Sequence, residues 1–175
     1  EILLEQRPTC IDNIAVLSGP NLAKEVAQSN VVAGTTVAAY NPDTAPRIQG
    51  WLNSPRFRVY TSEDVEGVEY YAVLKNIMAL GAGIGDELRV AQSSKALYLT
   101  RALEEMYRFA MALGAEEATF RSLAAVGDVA LSFYGGVTRN YRAGVKKAQG
   151  QSTEEILKAE LAEGIYALKP AVDLA

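Results

Sequence analysis

From Asp64 to its end the chain carries long helical patterns and no alternating or β-branched run that would make a strand, which limits its fold more than any other feature. Helices are expected at about Val65 to Leu80, Ser93 to Leu113, Ala118 to Leu131, Arg139 to Ala148 and Thr153 to Lys169. Their breaks fall at Gly81-Ala82-Gly83-Ile84-Gly85, Gly114-Ala115 and Gly135-Gly136, and Ser152-Thr153-Glu154-Glu155 supplies a cap and first-turn acids for the last. Upstream, Ile14-Ala15-Val16-Leu17, Val31 to Tyr40 and Phe57-Arg58-Val59-Tyr60 read as strands, with helical composition at Asn21 to Gln28 and Ala45 to Leu52. Three strands make a meagre sheet, stable only when paired with further strands or another chain. The expected fold is mainly α: a helical bundle over residues 64–175 preceded by a short α/β segment over residues 1–63.

Composition removes several classes of function. With 49% hydrophobic and 22% charged residues over 175 positions, the chain can bury a substantial core and is not disordered. A formal net charge of −4 provides no field to collect a nucleic acid backbone. The single Cys10 forms no internal disulfide, which suits a reducing compartment, and the cytoplasm is expected. No apolar run approaches the ~20 residues of a membrane span, and Glu1-Ile2-Leu3-Leu4-Glu5-Gln6-Arg7 lacks the basic start of a secretory signal. The absence of histidine removes the usual general base and the commonest metal ligand, so no metal site is expected and proton transfer falls to Lys, Asp, Glu or Tyr. The chain begins at Glu1 rather than Met and stops at Ala175 without a cap, so both ends read as cut.

Within the first long helix, Lys75 has Tyr71 and Ala72 behind it and Met78 and Ala79 ahead, an apolar stripe on which an ammonium is out of place. Burying it costs several kcal/mol unless it is paired or gives up its proton, and a buried lysine whose pKa is thereby depressed can serve as an acid or base. Alternatively its stem lies along the core and its head stays in water; the helix alone does not choose.

Two other motifs bear on chemistry. Ser18-Gly19-Pro20-Asn21-Leu22-Ala23-Lys24-Glu25 lies where a strand gives way to a helix, a place where open α/β sheets put ligands, with Asn21 as an N-cap candidate; it is also a common structural junction. Gly127-Asp128, Ser132 and Gly135-Gly136-Val137-Thr138-Arg139-Asn140 join a carboxylate to a glycine-rich loop ending in hydroxyl, guanidinium and amide at a helix start. Those groups fit a phosphate ester. The spacing equally allows a solvated loop with Thr138 merely capping and Asp128 on a helix surface. Gly81-x-Gly83-x-Gly85 follows a helix rather than a strand and lacks the dinucleotide spacing, so it reads as a helix end. Tyr98, Met106, Phe109 and Leu113 share a helical face and read as core; Glu104, Glu105 and Arg108 read as a solvated face, with Arg101 and Lys95 within reach of the interior.

In this order, Leu17 to Ala27, Ser54 to Tyr60, Val65-Glu66-Gly67-Val68-Glu69, Leu74-Lys75-Asn76, Gly127-Asp128 and Arg139-Asn140 resemble NAD(P)-dependent glycerol-3-phosphate dehydrogenase. The segments cover nearly the whole chain and keep order and approximate spacing. The resemblance implies that residues 1–63 are the end of a Rossmann-type dinucleotide-binding domain and residues 64–175 a helical substrate-binding domain. It implies too that the dinucleotide fingerprint and the family's other active-site lysine are missing here, so that this stretch alone should not turn over. It makes Lys75 the acid/base at the substrate's carbon-2 oxygen. Gly19, Asn21, Asn76, Asp128, Thr138, Arg139 and Asn140 would then surround glycerol 3-phosphate or dihydroxyacetone phosphate, and Ala23, Arg139, Leu161 and Glu163 would contact NAD or NADP. Asn21 departs from the family's usual Ser or Thr, and Leu131-Ser132-Phe133-Tyr134 from a Thr-Cys run, though Ser132 keeps a hydroxyl.

Two other readings stand beside this one, a non-catalytic helical interaction module and a related dehydrogenase of another hydroxy acid. The joint presence of Lys75, Asp128, Arg139 and Asn140 argues against the first, and the Arg-Asn pair favours a phosphorylated substrate over the second. The choice of NAD against NADP is not legible, nor is oligomeric state, with which a homodimer is compatible.

Overall fold

The computed structural model describes residues 13–28, 30–134, 136 and 138–175. Cys10 and the Glu1 to Arg7 stretch lie outside these residues, as do Gly135 and Val137 of the glycine-rich loop. The α/β segment runs β1 (Ala15–Ser18), α1 (Ala23–Val26), β2 (Ala33–Ala39), α2 (Thr44–Leu52) and β3 (Phe57–Ser62). The helical part runs α3 (Val65–Glu87), α4 (Gln92–Ala112), α5 (Glu117–Phe120), a π turn (Leu123–Gly127), α6 (Asp128–Tyr134), α7 (Arg139–Ala148), α8 (Thr153–Ala159) and α9 (Glu163–Leu174). None of these helices is long and apolar enough to cross a membrane. The fold is mainly α with a small mixed sheet.

β2 is the central strand, antiparallel to β1 (Ala15 opposite Ala39, Ser18 opposite Thr36) and parallel to β3 (Ala33 opposite Phe57, Ala38 opposite Ser62). Its alternate side chains enter two cores, as the two-residue period of a strand requires. Val37 and Ala39 pack with Ala45 and Val59 beneath α2, whereas Ala38 packs with Val65, Val68 and Ala124 of the helical part. The second core fixes the sheet to the start of α3.

α3 is the mast of the helical part. Its cap, Asp64, is buried; one carboxylate oxygen accepts from the Gly67 amide at 2.8 Å and the other from the Glu116 amide at 2.9 Å, tying the helix start to the turn before α5. Tyr71 and Leu74 pack against Ala102, Met106 and Ala110 of α4 and Val129 and Phe133 of α6. Tyr98 and Phe109 flank this core as expected, but Leu113, one residue past α4, is exposed.

Three helical expectations need correction. The glycine triplet does not end α3, which continues to Glu87 and stops where Arg89 takes the left-handed φ of 55° usual for a glycine. Gly83 lies against the Tyr141 carbonyl and Gly144 against the Leu80 carbonyl, so α3 and α7 meet backbone to backbone where any side chain would hold them apart. The helix expected from Ala118 to Leu131 is broken at Arg121-Ser122. There the Ser122 hydroxyl donates to the Thr119 carbonyl at 2.7 Å and accepts from the Ala124 amide at 3.1 Å, restarting the chain as a π turn. The last helix is split at Glu160, whose extended backbone carries its carboxylate to Arg142 and Lys146 of α7, at 2.7 and 2.6 Å. α9 then starts afresh at Glu163 and continues to Leu174 through Pro170. α7 matches its expected bounds, and the Ser152 capping box opens α8 as read.

The glycine contact yields a test. Gly144→Ala in the protein carrying this chain should lower stability by about 1–3 kcal/mol through overpacking against Leu80, read by chemical denaturation. Gly50→Ala, in α2 with nothing within 4 Å of the added methyl, should be neutral or stabilising.

Candidate active site

β1, α3, α6, α7 and α9 converge on a cleft of about 520 Å³. Lys75 enters from α3 and Asp128 from the first position of α6, and the two form an ion pair. Their side chains are 21% and 5% exposed, so the ammonium reaches the cleft while the carboxylate sits in the protein. Lys75 therefore follows the paired form of the first sequence reading: its head meets a buried carboxylate rather than bulk water. Asp128 is no surface charge. Burial pushes its carboxyl above the ordinary carboxylate range, opposed by Lys75 and by the Ser18 hydroxyl. The π turn immediately before Asp128 sets the phase with which this side chain enters the cleft.

At the other end stands the first turn of α7. Thr138 caps it, its hydroxyl accepting from the Tyr141 amide at 3.3 Å, and lines the cleft as well. Arg139 is ion-paired with Glu163, the first residue of α9. Asn140 is buried; its side-chain oxygen accepts from the Gly164 amide at 2.8 Å and its nitrogen donates to Glu163 at 3.4 Å. Gly164 permits this docking, because its α-carbon faces the Asn76 carbonyl with no room for a side chain. Asn76 donates to the Ala72 carbonyl at 3.1 Å, one turn back on α3.

The third wall is the turn after β1. A Cβ on Gly19 would lie 2.9 Å from the Thr35 Cα and 3.0 Å from the Gly34 carbonyl oxygen, so glycine lets this turn lie flat on β2. The turn leads into a helix of one turn only, capped by Leu22 without a side-chain hydrogen bond, which corrects the expectation that Asn21 caps it. Both polar atoms of the Asn21 carboxamide are instead buried without a hydrogen-bonding partner, in a residue that lines the cleft. An unmet buried amide of this kind is costly and marks a place where a ligand can complete the bonding.

Of the residues singled out in the sequence, Gly19, Asn21, Lys75, Asn76, Asp128, Thr138, Arg139, Asn140 and Glu163 line this one cleft, as does Ser132. Ala23, exposed at the start of α1, and Leu161, 55% exposed on the link between α8 and α9, are not among its lining residues. Sequence reasoning missed the apolar members Leu17, Leu22, Ala72 and Leu131. For two of them a signal existed: Ala72 lies one turn before Lys75, and Leu131 one turn after Asp128. No group of three or more metal-ligating side chains occurs among the described residues.

Residues 64–175 match the family described as NAD-dependent glycerol-3-phosphate dehydrogenase C-terminus, and residues 1–45 its N-terminus. A glycerol-3-phosphate dehydrogenase [NAD(P)+] of Thermus thermophilus is 45% identical over 169 residues, covering 97% of this chain and 50% of that protein. The Pseudomonas putida protein of the same name is 43% identical over 171 residues, covering 97% and 49%. Among solved structures, glycerol-3-phosphate dehydrogenase from Coxiella burnetii superposes with a TM-score of 0.85 at 35% identity, over 92% of this chain and 50% of that one. DsGPDH of Dunaliella salina gives 0.79 at 32% identity, over 91% and 29%. The chain spans about half the length of the curated relatives it matches.

The ion pair has a measurable signature. Lys75→Met leaves a buried carboxylate unpaired and should cost about 2 kcal/mol or more at neutral pH, part of it recovered in Lys75→Met/Asp128→Asn. Without Lys75 the folded-state pKa of Asp128 rises further above its unfolded value, so the native state takes up the proton first and gains stability as pH falls. In urea titrations the Lys75→Met deficit should therefore shrink from about pH 7 to about pH 5. A deficit independent of pH would mean that Asp128 is not left charged and buried.

Proposed function

This chain belongs to the NAD-dependent glycerol-3-phosphate dehydrogenase family, and from that premise we propose that the protein carrying it interconverts sn-glycerol 3-phosphate and dihydroxyacetone phosphate with NAD or NADP. The observation that carries the reading is the cleft itself, which sets a lysine backed by a buried carboxylate within one enclosure with an arginine, an asparagine and a capped helix start. The reading includes a cytoplasmic location.

Lys75 is the acid/base. In reduction the Lys75 ammonium gives a proton to the carbon-2 oxygen; in oxidation it first releases that proton to solvent, and the free amine then takes the proton of the carbon-2 hydroxyl. Asp128 holds the ammonium in place and is itself fixed by burial, so the proton is delivered along one direction. Arg139 and the first amides of α7 take the phosphate, with Thr138 and Asn140 beside them. Binding at that remote group helps hold carbon 2 against Lys75. Asn21 offers its unmet amide to a hydroxyl or carboxamide. The apolar side chains of Leu17, Leu22 and Leu131 line the same cleft as Lys75, which fits a flat nicotinamide ring. The dinucleotide, when bound, supplies the hydride exchange at carbon 2.

The test is glycerol 3-phosphate-dependent NAD(P)H formation by the protein carrying this chain. Lys75→Ala should lower kcat on the order of 100-fold or more, while Arg139→Ala should chiefly raise KM for the phosphorylated substrate. Near-normal kcat in Lys75→Ala would refute the acid/base role. Inactivity of the wild type with either cofactor would remove the dehydrogenase reading altogether.

A further inference from the structure

The first turn of α7 is held from behind as well as from the cleft. Tyr141 follows Arg139 by two residues, about 200° around the helix, so the two side chains leave α7 on nearly opposite sides. The Tyr141 hydroxyl donates to the Asp86 carboxylate at the end of α3. Lys95 of α4 pairs with the other carboxylate oxygen, and the Asp86 and Lys95 side chains are 29% and 31% exposed. None of these three side chains is among the residues that line the cleft. Asp86 and Lys95 face a second cavity of about 400 Å³, bordered by Gly81, Tyr98 and Phe133.

The link adds a directional contact to a close helix pair. At Gly83 and Gly144 the helices touch backbone to backbone, with Leu80 and Ala143 packed beside the contact, which sets the distance between them. A hydrogen bond from a rigid ring to a fixed carboxylate is directional. Burial alone would raise the Asp86 carboxyl, but Lys95 and Tyr141 together hold it below its usual value; burial and Asp86 push the Tyr141 hydroxyl to about 12. At neutral pH the carboxylate is thus a charged acceptor and the phenol a donor.

Resting on the phosphate role of Arg139 and Asn140, we propose that Tyr141, Asp86 and Lys95 are positioning residues that set the rotation of α7 and so aim those two groups at the substrate phosphate. None of the three touches the reacting atoms. Their effect falls on what Arg139 and Asn140 bind, leaving Lys75 untouched.

The experiment combines steady-state kinetics with amide hydrogen exchange on the protein carrying this chain, wild type and variants. Tyr141→Phe should raise KM for glycerol 3-phosphate about tenfold, with kcat within about twofold, and the amides of residues 139–143 should exchange faster than in the wild type. Lys95→Met should give the same split to a smaller degree, and Lys95→Arg should restore it. The proposal is overturned by an unchanged KM in folded Tyr141→Phe, or by kcat and KM worsening together as in a general loss of structure. Should the wild type not turn over glycerol 3-phosphate, the dehydrogenase reading fails separately. Exchange then decides this inference alone: faster exchange confined to the first turn of α7 upholds the link, and unchanged exchange rejects it.

Discussion

The ion pair between Lys75 and Asp128 is the contact around which the rest of the molecule is arranged, because neither charge can remain where it is without the other. It joins the middle of α3 to the start of α6, 53 residues apart, and Ser18 at the end of β1 adds its hydroxyl to the carboxylate. The α/β segment and the helical part therefore meet at a charge as well as at the apolar seam of Ala38, Val65, Val68 and Ala124. Deleting either partner leaves the other desolvated, which links integrity of the site to integrity of the fold.

α3 can carry that pair because it is held along its length by unlike devices. Its start is pinned by Asp64 to two backbone amides, its middle by Tyr71 and Leu74 in the core, and its last turns by glycine contacts to α7. The same helix thus presents Lys75 and Asn76 to the cleft while its far end, through Asp86, reaches the back of α7. Both ends of a bound glycerol phosphate, as proposed, would be measured against one rigid ruler.

How far the sequence foretold this depends on the range of the forces involved. α7 is legible to its bounds because a local cap and a local pattern decide it. α3 is not: the glycines that read as a stop serve a neighbouring helix, and nothing within the triplet says so. The split at Glu160 is equally invisible, since the cations that pull it lie on α7, outside any local window. Lys75 stands out because a charge on an apolar stripe is a local contradiction. The burial of Asp128 does not, since its cause is a partner far along the chain. Asn21 shows a further failure, in which a residue type that commonly caps helices is left with its amide unmet instead.

The exposure of the two acidic partners separates the roles of the two cations in the cleft. Lys75 and Arg139 are each already matched by a carboxylate, so the cleft does not present free positive charge to an arriving anion. Asp128, 5% exposed, is shielded from water and stays with Lys75; Glu163, 39% exposed, faces solvent and can yield part of its hold on Arg139. An exposed pair of that kind contributes little stability, so exchanging it for a phosphate is inexpensive, whereas disturbing the buried pair is not. The fixed pair therefore suits directional proton transfer and the exchangeable pair suits anion capture, a division that follows from burial alone.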